Sequence, residues 1–234
     1  MEERHRRTAM LLGEQGIERL RHSRVLVCGV GGVGSFIAEA LARAGVGRLD
    51  LLDFDVVSES NINRQLIALH STVGRKKAEV MAERIRDIGP EIEVEILDFF
   101  LSPDNVGEVL DRGYDYVADA IDSVPSKVAL IAACHERNVP IISSMGTGNK
   151  LDPSRLRLAD LSKTSVCPLA KKMRYELRKL GIVHHRVLFS DEEPLHPAET
   201  EDGRHVPGSI SFVPSSAGLM IAGEIIRTLA FKEE

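Results

Sequence analysis

The chain has little cysteine, no long apolar run and no excess of positive charge, and each shortage closes a class of function. Its three cysteines, Cys28, Cys134 and Cys167, are far apart, and two of them fall in apolar strand or helix patterns. That argues against a disulfide framework and for a reducing, cytoplasmic setting. No stretch reaches the roughly 18 apolar residues that a membrane span needs. The N-terminal MEERHRRTAM is charged and lacks the apolar segment of a secretion signal. A formal charge of -5 argues against indiscriminate nucleic-acid binding and leaves room only for a local basic patch. Internal repeats and low-complexity segments are missing as well.

What is there is 234 residues, 43% hydrophobic and 28% charged, which suits one globular α/β domain with a sizeable core. The stretch 24–55 organises it. Val25, Leu26, Val27 and Cys28 form a continuous apolar run, as in a strand buried on both faces of a parallel sheet. Gly29, Gly31 and Gly34 then give the G-x-G-x-x-G spacing, with Gly32 as a fourth glycine, before a helix over 33–44. The first glycine makes a tight turn, the second lets backbone approach a phosphate, and the third lets helix pack on strand. A second strand, 48–55, carries Asp53, placed to accept hydrogen bonds from ribose hydroxyls. This is a nucleotide site, and the glycines alone leave the nucleotide open.

The remaining pattern alternates. A short amphipathic helix over 13–23 precedes the first strand, and a polar connection over 56–71 is long enough to be functional. Helices are expected at 75–88, 103–112 and 124–138, and strands at 91–99, 114–121 and 139–144. After Gly146 the rhythm changes to shorter strands at 155–161, 183–189 and 209–213. A helix at 168–180, an acidic loop at 190–203 and a final apolar helix at 216–231 accompany them. The expectation is a Rossmann-like, doubly wound, mostly parallel sheet with a smaller mixed C-terminal extension. Residues 1–145 read as the nucleotide-binding half and 146–234 as the substrate-shaping half of a single domain.

The loop after Asp53 supplies discrimination. Asn61, Asn63, Arg64 and Gln65 bring amides and a guanidinium to the C-terminal edge of the sheet, where arginine can clamp phosphate oxygens. Lys76 and Lys77 stand in the first turn of a helix, where a cation opposes the dipole unless a polyphosphate is near. The plainer alternative for Lys77 is a solvated surface lysine. Asp119 and Asp122 end the fourth strand as DAID, facing the same crevice. Asp122 is assigned to magnesium, with a helix-capping role as the alternative. Arginine, lysine and acid around a third phosphate suit ATP chemistry better than hydride transfer to NAD, and leave a catalytically silent ATP-binding protein as the remaining rival.

These motifs, GxGGxG at 29–34, LLDxD at 51–55, SNxxRQ at 60–65, VGxxK at 73–77 and DxxD at 119–122, resemble those of the ubiquitin-activating-type adenylyltransferases, in order and at matching spacing. The resemblance implies that Asp53 binds ribose within a nucleotide site that includes Asp55. It further implies that Arg64 and Lys77 contact phosphates, and that an arginine from the second subunit of a homodimer reaches the ATP. Arg7 is best aligned for that last role, with Arg4 and Arg6 beside it and a plain solvated basic N-terminus as the alternative.

The sulfur-carrier-activating branch holds zinc with two CxxC pairs. Here Thr164 stands where the first cysteine should be, so no zinc is expected. Outside the shared core, segments such as SNINRQLIAL, YDYVADAIDSVPSKVALIAAC and KTSVCPLAKKMRYELRK resemble a bacterial branch that cyclises threonylcarbamoyladenosine beside the tRNA anticodon. That implies tRNA as partner, with a sulfurtransferase or sulfur-carrier protein as a further one. The alternative is adenylation of the C-terminal glycine of a small ubiquitin-like sulfur carrier. Cys167 is either a loop thiol or a buried small apolar residue. For the RNA, Lys171, Lys172, Arg174, Arg178 and Lys179 fan over one face of helix 168–180, opposite Leu169, Met173, Leu177 and Leu180. They read as phosphate contacts, or as an ordinary solvated face.

Overall fold

The computed structural model describes residues 2–195 and 207–231. A seven-stranded sheet runs through it: β1 Arg24–Cys28, β2 Arg48–Leu52, β3 Glu93–Leu97, β4 Tyr116–Asp119, β5 Ile141–Ser144, β6 Leu156–Asp160 and β7 Arg186–Ser190. The helices are α1 Arg6–His22, α2 Gly34–Ala44, α3 Lys77–Ile88, α4 Val106–Leu110, α5 Val124–Glu136, α6 Pro168–Lys179 and α7 Phe212–Ala230. Strand order is β3-β2-β1-β4-β5-β7-β6, parallel except for the antiparallel β6–β7 pair. The doubly wound sheet with a mixed C-terminal extension is therefore the architecture of this chain.

The period of two along each strand decides what each layer buries. Val25, Val27, Leu49 and Leu51 face a core built with Ile37 and Leu41 of α2, Met81 and Ile85 of α3, and Ile221 and Ile225 of α7. Leu26, Cys28, Leu52 and Val117 face the opposite core, with Val109 of α4, Leu130 and Ile131 of α5, and Met173 and Leu177 of α6. Each such fully buried side chain contributes about 1.5–3 kcal/mol of transfer free energy. The order reverses between β1 and β4, so the C-terminal ends of these neighbours open a crevice there.

Two expectations need correction. Residues 209–213 form no strand: α7 begins at Phe212 and takes in Pro214. Proline lacks the N–H that a first helical turn leaves unpaired, and Ser215 and Ser216 donate back to the carbonyls of Ser211 and Phe212. A run of β-branched and aromatic residues thus marks a helix start, at which Val213 and Pro214 are buried and Phe212 is exposed. At the other end, α1 begins at Arg6 rather than near residue 13, and is interrupted at Gly13, where φ is 74°. The expected acidic loop 190–203 lies partly outside the described residues.

Candidate active site

The crevice is a cavity of about 780 Å³, and the glycine turn forms its floor. Gly29 has φ 84°, and a Cβ there would stand 2.8 Å from the Ala120 carbonyl oxygen; at Gly34 it would stand 1.7 Å from the Gly29 oxygen. Both are demanded by packing. Gly31 differs, since the nearest atom to its missing Cβ is Gln65 Nε2 at 3.7 Å. The room beside it belongs to the cavity, as close approach by a phosphate requires. Gly32 packs near Pro214 and Arg64. Among the described residues no side chain caps the N-terminus of α2, which leaves that end open to an anion.

The acids and cations of the second strand and its loop gather around this floor. Asp53 is buried, its two carboxylate oxygens accepting from the backbone N–H of Val30 at 2.6 Å and of Asp55 at 2.9 Å. Burial raises its carboxyl above the ordinary value, against the pull of those N–H groups and of Lys77. Lys77 is buried and donates to Asp55 Oδ2 at 2.7 Å, which removes the solvated-surface alternative for it. Arg64 donates from Nη1 to the Ser60 carbonyl and to Asn63 Oδ1, each at 2.9 Å. Both contacts are exposed, so the guanidinium is held only at one corner. Gln65 is buried, and its Oε1 has no hydrogen-bond partner among the described residues. An orphaned acceptor on a cavity wall fits an incoming polar ligand. Asn61 turns inward, its Oδ1 accepting from Ser58 N–H at 3.1 Å. Asn63 is not part of the lining and donates to the Ser209 carbonyl instead.

Asp122 lines the cavity, is exposed, and has no hydrogen bond among the described residues. Helix α5 is preceded by Ser123, and nothing there uses Asp122 as a cap. One unengaged carboxylate with room for phosphate oxygens and water fits the way proteins hold magnesium beside nucleotides. Asp119 does not face the crevice. It is fully buried and accepts from Lys127 Nζ at 2.7 Å, because the last side chain of β4 points, as Val117 does, into the layer beneath. Lys127 went unnoticed in the sequence, where the signal was a single cation one turn into the otherwise apolar helix VPSKVALIAAC.

Other wall residues also escaped the sequence reading. Phe54 and Phe100 meet edge-to-face at 5.3 Å beside Asp53. Ser126, Ser144 and the loop 145–148 form the far wall. Asn149 exchanges two hydrogen bonds with Gly208, which brings Pro207 and Ser209 to the rim. These positions depend on tertiary folding and carry no local motif.

The remaining predicted residues lie elsewhere. Arg7 is exposed on α1 and outside the lining. On α6, Lys171 and Arg178 are exposed, while Lys172 and Lys179 both pair with Glu176 at 3.0 and 2.7 Å. Arg174 is not one of a solvated fan: its Nη1 donates to the Thr164 carbonyl and hydroxyl, tying α6 to the preceding turn. Leu180 is 54% exposed and falls off the apolar face because the helix ends at Lys179. Cys167 is buried in the core, the small apolar role. Among the described residues Glu2, His5 and Glu91 also cluster, but the Arg4 guanidinium pairs with both glutamates, and none of them lines the cavity.

The model of the ThiF family matches residues 4–234. A tRNA threonylcarbamoyladenosine dehydratase of Bacillus subtilis (strain 168) is 46% identical over 236 residues, spanning 95% of this chain and 93% of the relative. The dehydratase of Escherichia coli (strain K12) is 45% identical, over 81% of this chain and 74% of its own. The crystal structure of E. coli tRNA N6-threonylcarbamoyladenosine dehydratase in complex with ATP superposes with a TM-score of 0.90 at 39% identity, covering 97% of this chain and 93% of the other.

Proposed function

The chain belongs to the ThiF family, and from that premise we propose that it uses ATP to cyclise threonylcarbamoyladenosine in tRNA. The observation that carries this reading is near-full-length identity with dehydratases of that substrate, joined to a cavity whose floor is the glycine turn. The threonine carboxylate attacks the α-phosphorus, and the bond to the β-phosphate oxygen breaks to release pyrophosphate. A nucleophile of the carbamoyl group then attacks the acyl carbon of the mixed anhydride, loses its proton and expels AMP. The oxygen of the eliminated water leaves in AMP.

Each step has a residue suited to it. Gly31 admits the phosphates, Asp53 stands at the ribose, and Arg64 and Lys77 oppose charge that grows on the leaving pyrophosphate. Asp122 would hold magnesium, which when bound spreads that same charge. Because the tRNA brings its own nucleophile, no enzyme thiol is needed, consistent with Cys167 in the core. The exposed Lys171 and Arg178 are the α6 cations best placed for RNA phosphates.

The working unit is a homodimer. α1 and α2 both pack against α7, and this layer exposes Met10, Leu11, Phe212 and Leu219. Exposed apolar side chains of that number are suited to a second copy, and Arg7 lies one turn from Met10 and Leu11.

The test is mass spectrometry of nucleosides from threonylcarbamoyladenosine-containing tRNA after incubation with protein and ATP. The modified nucleoside should lose the mass of one water, with one pyrophosphate released per ring. An unchanged nucleoside, with adenylate forming instead on a carrier protein ending in Gly-Gly, would replace this reading with sulfur-carrier activation.

A further inference from the structure

Lys127 is a charged side chain with no exposed surface, inside a protein whose fold has no evident need of it. Its Nζ donates to Asp119 Oδ2 at 2.7 Å and to the Ser144 carbonyl at 3.1 Å. Both side chains of the pair are 0% exposed. Asp119 spends its other oxygen on the backbone N–H of Ile121 at 3.1 Å. Asp119 and Ser143 are register partners on the adjacent strands β4 and β5. One ammonium therefore joins the last residue of β4 to the last carbonyl of β5.

The two segments so joined are both walls of the cavity. Ala120, Ile121, Asp122 and Ser123 follow Asp119 directly, and Met145, Gly146, Thr147 and Gly148 follow Ser144. Ser126, the residue before Lys127, also lines the cavity, whereas Lys127 does not. Taking two charges out of water is expensive, and an apolar pair of similar volume commonly leaves a fold as stable or more so. Stability is thus a poor reason for this pair. What an apolar pair could not supply is a directional link from one strand end across to the next.

We infer that Lys127 is a positioning residue, a tie bar between the loops 120–123 and 144–148 that sets Asp122 against the far wall of the cavity. The inference rests on the adenylation reading for its effect on turnover, and on geometry alone for its effect on the loops. Asp53 is held by the backbone of Val30 and Asp55 and has no hydrogen bond to the pair among the described residues, so the effect of the tie bar is assigned to the chemical step. Reacting groups misplaced by about 1 Å can lose about a hundredfold in rate.

The experiment uses the double variant Asp119→Asn/Lys127→Met, because removing either partner alone would strand a buried charge. Asparagine keeps an oxygen for the Ile121 N–H and methionine fills the space of the lysine stem, so the change falls on the tether. The double variant should melt as a cooperative unit and keep the native KM for ATP, with kcat lower by about tenfold to a hundredfold. Hydrogen exchange, read without any substrate, should speed up by about tenfold at 120–123 and 144–148 and nowhere else. Native kcat in the double variant, unchanged exchange in those loops, or a kcat loss that merely follows a lost melting transition would each overturn the inference. If the native protein itself fails to cyclise the nucleoside, the functional reading falls, and exchange in the two loops still judges the tie bar.

Discussion

Gly31 and Gly34 stand three residues apart and would answer the same added methyl group in opposite ways. In Gly34→Ala the new Cβ meets the Gly29 oxygen at 1.7 Å, backbone against backbone. The loss of stability should reach about 3 kcal/mol or more, read by denaturant melting. Gly31→Ala meets nothing nearer than 3.7 Å, so the fold should melt normally while calorimetric affinity for ATP drops by about tenfold or more. Asp122→Asn separates two readings in the same way. The residue is exposed and unbonded, so stability should stay within about 0.5 kcal/mol. Turnover should fall by about a hundredfold if the carboxylate holds magnesium, and full turnover at low magnesium would remove that role. His185 bears on pH. It is buried beside Ser143 at 2.8 Å, and burial, then His135 and Lys127, push it down to about 3. Its unfolded value is higher, so the unfolded chain binds the extra proton, and stability present at pH 7 is lost as pH falls from about 6.5 toward 3. Between pH 7 and pH 5 the loss from this group should be about 2 kcal/mol by urea titration, and absent in His185→Gln.

At the scale of elements, α6 shows how a helical pattern can be right in outline and wrong in parts. Its apolar stripe was legible from the spacing of Met173 and Leu177, both now in the core. The opposite face read as five equivalent cations, but Arg174 is drawn down to Thr164, and Glu176 lies between Lys172 and Lys179. Periodicity reports which face is wet and cannot report a bond to a turn ten residues away. The tRNA test therefore uses Lys171→Glu with Arg178→Glu. Affinity should weaken and the slope of log affinity against log salt should become shallower by about 1.5, two contacts at 0.7 to 0.9 each. Unchanged affinity and slope would leave α6 an ordinary surface. Arg174→Ala should instead destabilise by about 1–3 kcal/mol, because the Thr164 carbonyl loses its donor. β1, the glycine turn and α2 were legible almost residue for residue, since an apolar run, fixed glycine spacing and a helical stripe agree there. Residues 209–213 were not, because a short apolar run is shared by strands and buried helix starts.

At the scale of the molecule, the cavity is where reading from local pattern stops. Gly29, Gly31, Asp53, Arg64, Lys77 and Asp122 could be gathered in advance because motif and topology place them at one sheet edge. Phe54, Phe100, Thr147 and Ser209 could not, since only the packed chain brings them there. Association is a property of the same scale. Leu11→Glu with Leu219→Glu places charges on the exposed α1–α7 layer, and both residues are already more than half exposed. Sedimentation should move from dimer to monomer with little change in melting.

Helix α7 closes the site from behind: its Pro214 approaches Gly32, and Gly218 lets it lie against the Val33 carbonyl. During translation that helix leaves the ribosome long after the strands it covers. Until residues 212–230 emerge, Ile37 and Leu41 lack the partners Ile221 and Ile225, and the nascent sheet has an uncovered greasy side for a chaperone to occupy. The nucleotide turn is synthesised early and made usable late, so a stalled or prematurely ended chain carries every ATP motif and yet has no finished place to put the nucleotide.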